Sequence, residues 1–94
     1  MQYDEQPEES VEIINFTEVS EQLHTVNDYV RFGASQFNQA DLYFGHGTNN
    51  AWHEALTLVM HQLALPQELS NELMQCRLVS AERVAILQLF ERRI

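Results

Sequence analysis

Between Trp52 and Leu63 the apolar side chains Trp52, Ala55, Leu56, Val59, Met60 and Leu63 recur at spacings of three and four. A strand would need alternation every second residue, so this stretch is restricted to a helix with one buried face. It is the strongest periodic signal in the chain. No segment alternates convincingly with period two, and only two Pro and three Gly interrupt 94 residues. Long regular helices follow, and with them a small all-α bundle of four to five helices. A chain of this length forms one modest domain, burying about 60–65% of its unfolded surface.

Around that helix the remaining elements can be placed. Asn50 is suited to cap a helix running from about Ala51 to Leu65, which Pro66 ends. Val19, Leu23, Val26, Val30, Gly33 and Phe37 fall at alternating four and three, predicting one long helix from Thr17 to Phe37 with Thr17 as its cap. Gly33 lies on that seam, where a closely approaching neighbour would justify its cost of about 1 kcal/mol relative to Ala. A short helix is expected over 67–76, with Leu69, Leu73 and either Met74 or Cys76 inward. A last helix should begin at a Ser80 cap, where Val79 could staple onto Val84, with Val84, Leu87 and Phe90 marking its buried face and Ile86 and Ile94 alongside. Its apolar pattern still runs at Ile94, as in a domain cut from a longer chain. Residues 1–15 read as an acidic flexible tail, from which Val11, Ile13, Ile14 and Phe16 could dock. Residues 38–49 are too apolar for a solvated linker and should pack across the helices, with a short helical turn near 40–42.

Charge narrows the class of partner. The net charge is −9, with 14 acids against five bases, all arginine. An acidic domain repels phosphate backbones, which excludes independent nucleic-acid binding, and it attracts basic proteins. The same acidity also serves solubility. No apolar run approaches the roughly 20 residues of a membrane span. One cysteine, Cys76, allows no intrachain disulfide and fits a reducing, cytoplasmic setting.

Chemistry-bearing residues are few. His24, His46, His53, His61 and Cys76 supply no pair at chelating distance, so no metal site is expected. Cys76, in an apolar helical setting, is a poor nucleophile. What stands out is Tyr43-Phe44-Gly45-His46-Gly47-Thr48-Asn49-Asn50, leading to Trp52 and Glu54-Ala55. Glycines on both sides of His46 permit a sharp turn. His46 could donate a hydrogen bond to a substrate or another domain, or bond to its own turn. Asn49 and Asn50 could hold a substrate backbone, though capping and turn formation suit them better. Trp52 could anchor an interface, but its place on the stripe favours burial.

Three stretches carry a resemblance: Phe44-Gly45-His46-Gly47-Thr48 with Asn50, Trp52 and Glu54-Ala55; Leu63 to Pro66; and Arg77-Leu78, Ser80-x-Glu82-Arg83 and Glu91 to Ile94. Together they resemble the N-terminal helical domain of the ribosomal-protein glutamine methyltransferases. There are departures. Asn49 stands where the family often has Asp, His53 where it has an acid, and Val79 where it usually has Thr. That Thr would complete a capping box with Glu82. The resemblance implies a C-terminal α/β domain that binds S-adenosylmethionine and grips the glutamine amide through Asn-Pro-Pro-Tyr. Neither that motif nor a glycine-rich nucleotide loop occurs in this chain, so no cofactor and no catalytic residue is expected in it. It implies that the helical domain selects a basic ribosomal protein, with His46, Thr48, Asn49, Asn50 and Trp52 as candidate substrate contacts. Arg92 and Arg93 are candidates for contact with the chain's own catalytic domain. The competing readings are a free-standing helical interaction module and a regulator that dimerises through the Val19–Phe37 seam.

Overall fold

The computed structural model describes residues 14–42, 50–67 and 70–94. They form five helices: α1 (Phe16–Gln22), α2 (Val26–Gln39), α3 (Ala51–Leu63), α4 (Asn71–Met74) and α5 (Ser80–Arg93). The all-α expectation holds. The β-type pairing found among the described residues is an isolated antiparallel bridge between Thr25 and Arg77.

The single helix expected over 17–37 is two. Leu23 and Thr25 are extended, and the chain restarts at Thr25 with a capping box. Thr25 Oγ1 accepts the Asp28 N–H at 3.1 Å. The Asp28 carboxylate in return accepts the N–H groups of Thr25 and His24 at 3.1 and 3.0 Å. The backbone around the break is satisfied from across the molecule. Leu78 N–H donates to the His24 carbonyl at 2.7 Å, and Val26 N–H to the Cys76 carbonyl at 3.0 Å. The N–H groups that a continued helix would use, those of His24, Thr25 and Val26, are all bonded elsewhere, so local side-chain competition wins. The start of α1 also differs from expectation. Asn15, not Thr17, caps it, accepting the Glu18 N–H at 3.0 Å. Ile14 is buried, so the globule begins at least there. Val11 and Ile13 lie outside the described residues.

The core is built where α2, α3 and α5 meet. Val26, Tyr29, Val30 and Phe37 of α2 face Ala55, Val59 and Met60 of α3 and Ile86, Leu87 and Phe90 of α5, all of them fully buried. Each large aliphatic or aromatic side chain so buried contributes about 1.5–3 kcal/mol. Gly33 fits the expectation of a close crossing. A Cβ there would lie 2.5 Å from Phe90 Cζ and 3.0 Å from Ala55 Cβ. The ring that fills this space also meets Phe37 edge to face, with centroids 5.5 Å apart. Tyr29 is buried with its hydroxyl donating to the Leu23 carbonyl at 2.9 Å. Burial pushes its pKa up to about 12, against the pull of the nearby Arg83 cation and with a smaller push from Asp28.

Later elements are shorter or shifted. α3 stops at Leu63 because Ala64 turns left-handed, at φ 58° and ψ 44°, and Pro66 disfavours helix at Leu65. Leu65 is consequently exposed. The helix expected over 67–76 is reduced to α4, capped by Ser70 Oγ on the Leu73 N–H at 3.1 Å. Leu69 lies outside the described residues, Leu73 and Met74 pack against the core, and Cys76 is exposed rather than inward. In α5 Ser80 is the first helical residue and Val79 occupies the cap position. Val79 is 63% exposed, which overturns the expected staple onto Val84, itself only half-buried. Ile86, expected alongside the buried face, is fully buried, and Val84 less so. After α2, Ala40 caps the helix and Asp41 is left-handed (φ 57°), in place of a further helical turn; Leu42 then packs on the core.

Candidate functional site

Of the residues singled out by the sequence, those described, Asn50, Trp52, Arg92 and Arg93, lie at the cap and first turn of α3 and in the last turn of α5. His46, Thr48 and Asn49 lie outside the described residues. Asn50 is exposed, and its side chain serves α3: Oδ1 accepts the His53 N–H at 2.8 Å. The capping role is therefore the one its side chain plays.

Trp52 is the main correction. It lies in the middle of the α3 stripe, yet it is 40% exposed. The reason is directional. A helical side chain leans toward the N-terminus and covers the turn before its own Cα. In the first turn of α3 there is no preceding turn of the same helix for the side chain to cover, while Ala51 and Ala55 are buried. Periodicity reports the angle of a residue about the helix axis and not its height along it.

Arg92 and Arg93 part company. Arg92 is exposed, whereas Arg93 Nε lies 2.6 Å from Glu54 Oε2, with the Glu54 side chain 13% accessible. One residue earlier, Glu91 Oε2 accepts the Ile14 N–H at 3.3 Å. The end of α5 is thus tied both to α3 and to the entry into α1. Sequence reasoning missed Glu54 and Glu91. No local spacing could reveal them, because both contacts join distant parts of the chain.

Carboxylates divide in the same way. Asp28, Glu54, Glu82 and Glu91 are half-buried and hydrogen-bonded. Glu18, Glu21, Asp41 and Glu72 are exposed to solvent. Asp28 shows what engagement does. Burial raises its pKa, but the backbone N–H groups of His24 and Thr25 and the Thr25 hydroxyl outweigh that, leaving it below the ordinary value. Among the described residues, no group of three or more His, Cys, Asp or Glu is placed to hold a metal ion. Cys76 lies outside the apolar setting expected of it, its thiol turned to the Glu72 carbonyl at 3.3 Å. No helix of the described residues is long and apolar enough to cross a membrane. The first turn of α3 thus carries both the partly exposed Trp52 and the paired Glu54.

No protein-family model matches the chain, and no solved structure matches it. Curated proteins do. The chain is 47% identical over 75 residues to the ribosomal protein uL3 glutamine methyltransferase of Xanthomonas campestris pv. campestris, covering 80% of this chain and 24% of that protein. The protein of the same name from Xylella fastidiosa strain 9a5c matches to the same extent. That of Neisseria meningitidis serogroup B is 41% identical over 80 residues, covering 85% of this chain and 26% of its own length. The chain spans about a quarter of the length of the curated relatives it matches. The resemblance read from the motifs therefore stands: over some four fifths of its residues, this chain is a relative of one segment of the ribosomal protein uL3 glutamine methyltransferases.

Proposed function

We propose that this chain is the substrate-recognition domain of an S-adenosylmethionine-dependent enzyme that methylates N5 of a glutamine side chain in a large-subunit ribosomal protein, in the cytoplasm. The observation that carries the reading is 41–47% identity, over four fifths of the chain, to enzymes named for that reaction. On this reading the helical domain stands N-terminal to the catalytic domain, which binds the cofactor and performs the transfer. The domain itself contributes affinity and orientation.

Two features support a recognition role. The exposed carboxylates Glu18, Glu21, Asp41 and Glu72 give the surface a field complementary to a basic ribosomal protein. Such complementarity speeds encounter and disfavours wrong partners. In sequence, Gly45-His46-Gly47-Thr48-Asn49 directly precedes Asn50, the cap of α3. The candidate substrate contacts are His46, Thr48, Asn49, Asn50 and Trp52, with Asn50 also serving as the helix cap.

The test is a titration of the domain with purified uL3 at two salt concentrations, followed by backbone amide NMR. Shifts centred on Gly45–Asn50 that weaken with salt are expected. Absence of shifts at high protein concentration would remove substrate recognition from this domain.

A further inference from the structure

Among the described helices, α1 lies against α5 alone, and no residue of α1 is fully buried. Its hold on the molecule comes from the half-buried Phe16 and Val19, which pack on the core, and from Ile14 before it, which is buried and bonded to Glu91. α2 does not depend on α1 in return. It is seated on α3, and its start is closed by its own capping box at Thr25 and Asp28.

The junction between the two helices has a second arrangement open to it. No Pro or Gly stands between Phe16 and Phe32, and Val19, Leu23, Val26, Val30, Gly33 and Phe37 keep one helical seam through the break. In an unbroken helix the N–H groups of His24, Thr25 and Val26 would bond to the carbonyls of Ser20, Glu21 and Gln22. Straightening gives up the bonds that join the junction to Cys76 and Leu78. It also lifts Phe16 and Val19 from their seats and uncovers the part of α5 on which α1 lay. The segment whose shape and chemistry fit that seat is α1 itself, so the α1 of a second copy covers it with the same contacts. Each copy then gives an arm and receives one, which closes as a two-fold dimer. At low concentration a chain's own arm wins the seat, because it is tethered beside it.

We propose that residues 14–22 are an exchangeable arm: the chain straightens at Leu23–Thr25 into one helix, and α1 seats on α5 of a second copy. A second copy of this chain is then a partner in addition to any substrate.

The 94-residue chain tests this directly. Thr25→Ala combined with Asp28→Ala removes the box that favours the break and leaves good helix formers at the junction. Light scattering should give this double variant a dimer dissociation constant at least tenfold below that of wild type. His24→Gly disfavours helix at the junction while keeping its backbone bonds, and should stay monomeric. Exchange itself is read across copies. A spin label at Thr17→Cys in a Cys76→Ser chain is mixed with nitrogen-15-labelled chain that carries no spin label. Amides of residues 90–93 should broaden in wild type at its highest soluble concentration, more strongly in the double variant, and not in His24→Gly. A folded double variant as monomeric as wild type, or a dimer whose broadening spreads evenly over the surface, overturns the exchange. The wild-type mixture decides even where the double variant does not fold: no broadening at residues 90–93 overturns the proposal.

Discussion

The two ends of α5 are built on opposite plans. At its start, the turns on either side of the Thr25–Arg77 bridge exchange backbone hydrogen bonds. Asp28 and Glu82 close helix starts, and the Arg83 guanidinium donates to the Leu78 carbonyl. At its finish the ties are long side chains: Glu91 accepts the Ile14 N–H and Arg93 pairs with Glu54, while Arg92 stands exposed. The first end is closed largely through the backbone and the second through side chains. Substitution can tell them apart: changes at the bridged end should alter the melting temperature, and a change at exposed Arg92 should leave it nearly unmoved.

The strongest way to break the comparison is to damage what both ends lean on. Gly33→Val would drive a side chain into Phe90 and Ala55, and should cost on the order of 3 kcal/mol. Chemical denaturation would show it as a lower midpoint with an unchanged slope.

Next is the bridged end itself. Thr25→Val removes the acceptor of the Asp28 N–H and should cost about 1–2 kcal/mol. The reciprocal arm is pH-sensitive. Because the folded pKa of Asp28 is lowered, its carboxylate stabilises the fold above the ordinary value of 3.8, and that contribution is lost as the pH falls through the folded value. Melting curves should therefore separate wild type from Asp28→Asn at pH 7, with the gap closing below pH 3.8.

A smaller effect of opposite sign sharpens the contrast between the two starts. Val79 occupies a cap position at which Glu82 accepts the Val79 N–H at 2.9 Å, but no side-chain cap bond is returned. Val79→Thr would complete the box and should stabilise by about 1 kcal/mol. A melting temperature unmoved or lowered would show that the exposed start of α5 is already satisfied by water.

The smallest effect on stability belongs to the exposed cation at the finish of α5. Arg92→Ala should change the stability of the 94-residue chain by about 0.5 kcal/mol or less, as at other exposed positions. A loss of several kcal/mol in that chain would mean that Arg92 is engaged in the fold and that the division between the two ends is mistaken.

What could be read from the chain beforehand follows the same divide. The α3 stripe, the Asn50 cap and the close crossing at Gly33 were legible because each depends on local spacing and residue type. The break before α2 was legible in principle: Thr25-x-x-Asp28 is the signature of a capping box, hidden because Val19, Leu23, Val26 and Val30 keep helical spacing across it. The start of α5 was misplaced by one residue because a valine cannot announce a cap. The exposure of Trp52 and the pairing of Glu54 with Arg93 were beyond reach, since both depend on where helix ends meet in space. The loop with His46, Thr48 and Asn49 lies outside the described residues, so its role rests on the proposals above.

The notch at Gly33 also bears on how the domain is made. α2 and α3 are neighbours in sequence and can pair as soon as both exist, but that pair alone leaves a hollow over Gly33. The ring that fills it belongs to Phe90, near the end of the last helix. During synthesis the hairpin must wait, half-covered, until almost the whole domain has left the ribosome. Its closing step joins residues far apart in sequence and carries the larger loop-closure cost. A chain halted before α5 emerges should therefore be captured by chaperones, and one halted beyond it should not.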